Sequence, residues 1–375
     1  MVHLCLALVT AFMVVLLATP ALIKVAFLKR LFDEPGDSRK LHKRVVPTIG
    51  GIIIFAATLF SFAIWFPYNH ESMELLRGWI REFQFVVACM LILFFVGVKD
   101  DIIGTAPMKK LAAHIIVGMV LVLMADMRIR SLHGLFGVDQ IPLWASIFLS
   151  LFTYIVIVNA FNLIDGVDGL ASGIGMIGGL AFGVVFGLGG DIVTGSLGFA
   201  MAGALAAFLV FNFSPAKIFM GDSGSLSIGL VMAILAIKYV EFVPNADTHP
   251  FVREICTPVM AMAIISFALT DTLRIFLWRA IRGVSPFSAD RNHLHHLLID
   301  SGMNHARTVL WVYAANLSVI GVAVWTRLMP LNISFAITFG YVLILMMLPW
   351  ILKRIHIRKK GVTGKTRHID SVNAA

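Results

Sequence analysis

Long apolar runs alternate with short polar turns along almost the whole chain, and each run is longer than the apolar stripe of a surface helix requires. Runs of about 17 or more apolar residues predict membrane-spanning helices. Eleven are expected, over about 3–23, 48–67, 83–99, 111–125, 143–163, 170–188, 195–211, 224–243, 254–280, 308–326 and 332–352. The fourth is short, and the ninth is long enough to be tilted or broken. The first lacks a basic segment before it and a small-residue cleavage site after it, so it is expected to be retained.

Composition agrees: of 375 residues, 59% are hydrophobic and only 14% charged, well outside the soluble globular range. The expected fold is an all-α polytopic membrane protein, with residues 1–352 forming one integral-membrane domain. Residues 353–375, basic and following the last apolar run, are expected to be a disordered cytoplasmic tail. Between spans four and five, residues 126–142 are long enough for a small hairpin around Gly134 or Gly137. Cys5, Cys89 and Cys256 lie in or beside apolar runs with no pairing or metal spacing, and read as packing residues.

Polar residues cluster in five stretches: Arg39 to Gly51, Asp100-Asp101, Asn159 to Gly169, Phe219 to Ser225 and Ser288 to His296. Counting spans puts all five on one face of the bilayer. That face and the tail hold 23 of the 30 Lys and Arg residues; the other face has Arg77, Arg81, Arg128, Arg130, Lys238, Arg253 and Arg327. Basic loops stay in the cytoplasm, so the polar stretches and the C-terminus are expected inside and the N-terminus outside, in the periplasm. Polar groups gathered at one membrane surface suggest an active site. A transporter would place them near mid-span, where Asp271, followed by Arg274, is the clearest candidate.

In Asn159-Ala-Phe-Asn162-Leu-Ile-Asp165-Gly166-Val167-Asp168-Gly169, two amides and two carboxylates recur every three residues and share one face of a helical end. Such a face can bind a sugar, a nucleoside or a cation, although one Asp could instead cap span six. Asp100-Asp101 sits at the end of span three, where the helix dipole disfavours negative charge; the pair could bind a divalent ion or share a proton. Asp222, in Phe219-Met-Gly-Asp-Ser-Gly-Ser225, stands at the start of span eight, where backbone amides suit phosphate oxygens and a carboxylate suits a hard cation. Capping by Asp222 or Ser223 is the plainer reading. Arg291, His293, His295 and His296 favour anion binding over a zinc site, with no cysteine nearby. The basic run Arg39 to Arg44 is less specific. Carboxylates for a metal, a glycine-flanked pocket and basic groups together suggest phosphoryl transfer, which needs positioning and charge neutralisation more than a covalent catalyst.

These stretches, in this order, resemble the signatures of the polyprenyl-phosphate N-acetylhexosamine-1-phosphate transferases, and the match covers residues 33–298. The resemblance implies a multi-pass enzyme of the bacterial inner membrane. It would transfer N-acetylglucosamine-1-phosphate from UDP-N-acetylglucosamine (UDP-GlcNAc) to undecaprenyl phosphate, with Mg²⁺ as cofactor and Mn²⁺ able to substitute. His-Leu-His-His after Asp290-Arg291 is similar to the GlcNAc branch rather than the branch that takes UDP-MurNAc-pentapeptide; another UDP-N-acetyl sugar stays open. Carried over by position, Asp222 would be the principal metal ligand with Asn162 beside it. Asp165 and Asp168 would face the sugar nucleotide, with Asn159 and Thr48 also at the substrate. Lys43, Asn212 and Phe219 would surround the uridine. Arg291 and His293, with His295 and His296, would bind diphosphate or the amido sugar. Asp100 would assist deprotonation of the lipid phosphate, supported by Asp101, and Lys110 would bind that phosphate. Where the family often has Gln in span four, this chain has His114, expected to be a buried packing residue; a role near the lipid phosphate stays open. The bilayer is an implied partner, a homodimer is left open, and nucleic acid is not expected.

Orientation can be tested by single-cysteine labelling in a background lacking Cys5, Cys89 and Cys256. A cysteine at position 133 should react from outside intact cells and one at 290 should be protected. The reverse pattern would overturn the assignment.

Overall fold

Helices fill all eleven apolar stretches. The computed structural model describes residues 1–29, 32–33, 46–67, 72–283 and 294–372. In chain order the helices are α1 (Val2–Leu28), α2 (Gly50–Ile64), α3 (Met73–Ile103), α4 (Pro107–Met119), α5 (Leu143–Ile164), α6 (Leu170–Gly189) and α7 (Ile192–Asn212). They continue as α8 (Gly221–Glu241), α9 (Pro250–Ile255), α10 (Pro258–Ile264), α11 (Ser266–Ile281), α12 (Leu294–Asp300), α13 (His305–Trp325) and α14 (Leu331–Val372). Among the described residues, eight helices are long and apolar enough to cross a membrane, or up to nine if the bent pair α10–α11 counts as one span. Eleven is thus the number of apolar helical stretches, not of spans met by length. The second stretch, α2, has 15 residues, about 22 Å at 1.5 Å per residue, short of a hydrocarbon core of about 30 Å.

The ninth stretch is three helices, with an 85° bend between α10 and α11. The helical hydrogen bonds lost there are replaced by Asn316 of α13, which accepts from Phe267 N at 3.2 Å and Ser266 Oγ at 3.1 Å and donates to Ile264 O at 3.0 Å. Backbone groups freed at membrane depth need such a partner. Helix α14 carries the last apolar stretch and runs on to Val372. The hairpin is present: Ser131 pairs with Gln140, and Gly134 and Gly137 both adopt positive φ.

The bundle is built around α8. In its most apolar stretch 89% of residues are buried, against 17% for α14, which faces outward. Without a hydrophobic driving force between helices in lipid, small residues let backbones approach. On α6, Gly175, Gly179, Gly183 and Gly187 repeat every four residues; a Cβ on Gly179 would fall 2.9 Å from Gly198 O of α7. At the end of α8 away from Asp222, Lys238 pairs with Glu82 of α3 and with Asp191, the residue capping α7.

At the other end, α2, α3 and α8 meet through glycine. A Cβ on Gly51 would lie 2.1 Å from Gly224 N, and one on Gly97 would lie 2.4 Å from Ser223 Cα. Because the obstacles are backbone atoms, Gly51→Ala should lower stability by about 1–3 kcal/mol, the usual cost of overpacking. Gly321→Ala, which meets nothing within 4 Å, should be close to neutral. Thermal unfolding of the two variants in detergent checks the contrast; equal melting temperatures would refute it.

Candidate active site

The start of α8 organises the polar end of the bundle. Its first backbone amides have no helical partner, and no side chain of its own cap accepts from them. They are taken instead by Asp101 at the end of α3, which accepts from Asp222 N at 2.6 Å, Ser223 N at 3.0 Å and Ser223 Oγ at 2.7 Å. The dipole at the end of α3 opposes this carboxylate, and the dipole at the start of α8 favours it. The segment entering α8 is also paired across the chain: Phe219 N donates to Pro47 O at 2.7 Å, Gly50 N to Phe219 O at 2.9 Å and Gly51 N to Met220 O at 2.7 Å. The Pro47-to-Gly51 and Phe219-to-Ser225 stretches are therefore one structural unit. Thr48 enters it through its carbonyl, which lies beside Gly221, a residue with φ +72°.

With α3 and α8 locked together, Asp100 and Asp222 converge on one cation. Lys110, in the first turn of α4, donates to Asp100 Oδ2 at 2.9 Å and to Asp222 Oδ2 at 2.6 Å. Asn162, near the end of α5, donates to Asp222 Oδ1 at 2.5 Å and Ser225 Oγ at 2.9 Å, and its amide oxygen lies 3.5 Å from Lys110 Nζ. Four helices thus contribute one side chain or more to a compact cluster.

The loop after α5 holds the remaining carboxylates. Asp165 is pushed well above the usual carboxylate range, by burial first and then by the carboxylates of Asp222, Asp101 and Asp168. That favours its protonated, hydrogen-bond-donating form. Asp168 accepts from Ala216 N at 3.1 Å. Asn212 is buried and braces the loop: it accepts from Gly169 N at 3.0 Å and Ser172 Oγ at 2.8 Å, and donates to Ile218 O at 2.9 Å. Its amide is thus engaged within the protein. Tyr313 of α13 donates to Gly169 O on the same loop.

His295 and His296, on α12, have ring centroids 4.4 Å apart with the planes tilted by 52°, and His295 Nε2 would meet a Cβ on Gly166 at 3.7 Å, so the histidine segment abuts the Asp165–Asp168 loop. Asp271 is fully buried, accepting from Leu294 N at 3.1 Å and Arg274 at 3.0 Å. It ties α11 to α12. The carboxylate that a transporter reading would place mid-span thus holds the histidine helix α12 to α11. Lys43, Arg291 and His293 lie outside the described residues.

Beside the cluster lies a cavity of about 250 Å³ lined by Asp100, Lys110, His114, Asn159, Asn162 and Arg279, among others. Asn159 donates to Ile155 O of its own helix at 2.7 Å. Sequence reasoning missed Arg279, counting it only as a basic residue near a helix end; in the fold it is 1% exposed. A charged residue within a long apolar run was the available signal. Among the described residues, no group of three or more His, Cys, Asp or Glu side chains is arranged to hold a metal ion.

Residues 83–240 match the model of glycosyl transferase family 4. Undecaprenyl-phosphate alpha-N-acetylglucosaminyl 1-phosphate transferase of Escherichia coli O157:H7 is 31% identical over 334 residues, 85% of each chain. The Yersinia pestis protein of the same name is 31% identical over 306 residues, covering 80% of this chain and 78% of its own. Decaprenyl-phosphate N-acetylglucosaminephosphotransferase of Mycolicibacterium smegmatis is 32% identical over 289 residues, 73% of this chain and 70% of its own. Similarity of this extent spans the helices that carry Asp100, Lys110, Asn162 and Asp222, and the chain belongs to glycosyl transferase family 4.

Proposed function

We propose that the protein transfers N-acetylglucosamine-1-phosphate from UDP-GlcNAc to undecaprenyl phosphate, at the cytoplasmic face of a bacterial inner membrane. The observation that carries this reading is the convergence of Asp100, Lys110, Asn162 and Asp222 at one end of an apolar bundle. The relatives' names supply the classes of donor and acceptor. An apolar cavity of about 230 Å³ supports the lipid acceptor; Phe152, Val156, Ile265, Leu269 and Leu273 line it. Leu269, Leu273, Phe276 and Arg279 recur at three- and four-residue spacing, so one face of α11 leads from this cavity to the polar one.

In the reaction, an oxygen of the lipid phosphate bonds to the β-phosphorus of UDP-GlcNAc. The bond from that phosphorus to the oxygen bridging the two phosphates breaks, and UMP leaves. Any proton on the attacking phosphate passes to a carboxylate oxygen of Asp100, which Lys110 orients. Lys110 and Arg279 draw anionic oxygens to the cavity, and Asp165, as a donor, can hydrogen-bond the sugar or diphosphate beside the histidine segment. Asp101 acts through position, holding Asp222 where it stands.

The donor set suits Mg²⁺: Asp222, Asn162 and Ser225 offer hard oxygens, and Mg²⁺ takes one or two carboxylates plus substrate phosphates rather than a dedicated protein cage. Asp222 and Asn162 would hold the ion, which, when bound, neutralises charge on the diphosphate; Mn²⁺ can substitute.

Purified protein given labelled UDP-GlcNAc and undecaprenyl phosphate should form the lipid-diphosphate sugar and release UMP. UDP-GalNAc should be a weak donor and UDP-MurNAc-pentapeptide inert; transfer from the pentapeptide donor alone would overturn the reading. EDTA should abolish turnover and Mg²⁺ restore it. Asp222→Asn should cost roughly 10³-fold in kcat while the protein still folds; full activity in EDTA would sink the metal assignment.

Asp100 and Asp101, adjacent in sequence, should separate by experiment. Asp100→Asn should depress turnover with UDP-GlcNAc binding within a few-fold of wild type and melting temperature unchanged. Asp101→Asn should lower stability by about 0.5–2 kcal/mol, the worth of a helix N-cap, and activity with it. Identical stability losses for the two would contradict the division of roles.

A further inference from the structure

His114 is the feature of the cavity left unexplained. It lies on α4 four residues after Lys110, so the two side chains share a helix face, and both line the polar cavity. His114 is 1% exposed, and neither ring nitrogen has a hydrogen-bond partner among the described residues. Burying an imidazole with both nitrogens unsatisfied is unfavourable, so packing alone gives no reason for histidine here over leucine.

Its depth narrows what it meets. Because α4 begins at the polar end of the bundle, His114 lies about 6 Å further toward the membrane interior than Lys110. On α5 the order is reversed: Asn159, Asn162 and Asp165 approach the aqueous end in sequence. The sugar-nucleotide loop and His114 therefore lie on opposite sides of the Lys110–Asn162 level. The cavity wall also includes Leu111, Leu163 and Phe276, and Phe276 continues the face of α11 on which Leu269 and Leu273 line the apolar cavity. A ligand that touches Lys110 and His114 together has an anionic head at the polar cluster and an apolar continuation toward the bilayer.

We infer that His114 binds the acceptor, with its imidazole N–H donating to a phosphate oxygen of the polyprenyl phosphate seated against Lys110. This rests on the transferase reading for the identity of the acceptor.

The experiment measures binding of undecaprenyl phosphate in detergent micelles, without sugar nucleotide, to wild type, His114→Leu and His114→Gln. Steady-state KM for both substrates and the melting temperature of each free protein accompany it. A hydrogen bond to a charged group implies a loss of about tenfold or more in lipid-phosphate affinity for His114→Leu. KM for UDP-GlcNAc should stay within about twofold. His114→Gln keeps an N–H donor and should retain affinity within about threefold. The free leucine variant should melt at or above the wild-type temperature, since it removes an unsatisfied buried group. Wild-type affinity in the leucine variant, an equal rise in both KM values, or a lowered melting temperature that accounts for the loss would each overturn the inference. If wild type transfers sugar phosphate while His114→Leu binds the lipid normally, this inference alone fails. If wild type binds the lipid more tightly than His114→Leu yet transfers nothing, the binding role stands and the transferase reading fails.

Discussion

The contact on which the site depends is the carboxylate of Asp101 against the first amides of α8. Two helix ends with opposite dipoles share one negative charge, so a residue unfavourable for α3 alone becomes favourable for the pair. The contact is close because Gly97 leaves no Cβ between the helices. Its consequence is geometric. Each helix then presents the neighbouring residue, Asp100 or Asp222, to the same point, and Lys110 fills that point between them. Two carboxylates and a cation are positioned by backbone packing rather than by flexible loops, which suits a reaction governed by placement.

Charge is the second constraint. Asp100, Asp101, Asp165, Asp168 and Asp222 gather in one region with Lys110 and Arg279. Asp101 is compensated by helix amides, and Asp165 is biased toward its neutral form by its neighbours. In the proposed reaction a diphosphate and a lipid phosphate would bring further negative charge to this region, more than two side-chain cations balance. A divalent ion held by Asp222, as proposed, would offset that charge, serving the carboxylate and the phosphates with one charge centre.

Much of this was legible in the sequence because membrane helices announce themselves by length and composition. The motifs fell at helix ends, where parity placed them on one face; the hairpin at Gly134 and Gly137 followed from turn chemistry. What stayed hidden depends on partners far apart in the chain. Asp101 read as a misfit because the amides it caps lie 121 residues away. Asn212, which the resemblance places at the uridine, makes three hydrogen bonds inside the protein that no motif announced. The bend at Ile265 had no proline or glycine to mark it; Asn316, on another helix, supplies the bonds that permit it. Arg279 sat at the end of an apolar run and gave no motif, and His114 stood out only against the Gln usual in the family. A buried polar residue is informative only once the cavity it lines is known.

The bend also explains how a water-soluble and a lipid-soluble substrate can share one site. A straight ninth span would bury its polar residues in the bilayer at high cost. Turning 85° at Ile265 separates α11 from the line of α10. Asp271 then anchors α12 and its histidines near the Asp165 loop, while Leu269 and Leu273 face the apolar cavity and Arg279 the polar one. A single helix thus borders both environments, with Leu269 and Leu273 on the apolar side and Arg279 at its last turn on the polar one. In the proposed reaction a lipid phosphate following that helix would enter chain-first along the apolar face and stop with its head beside Lys110. There, the carboxylates fixed by α3 and α8 are already in place.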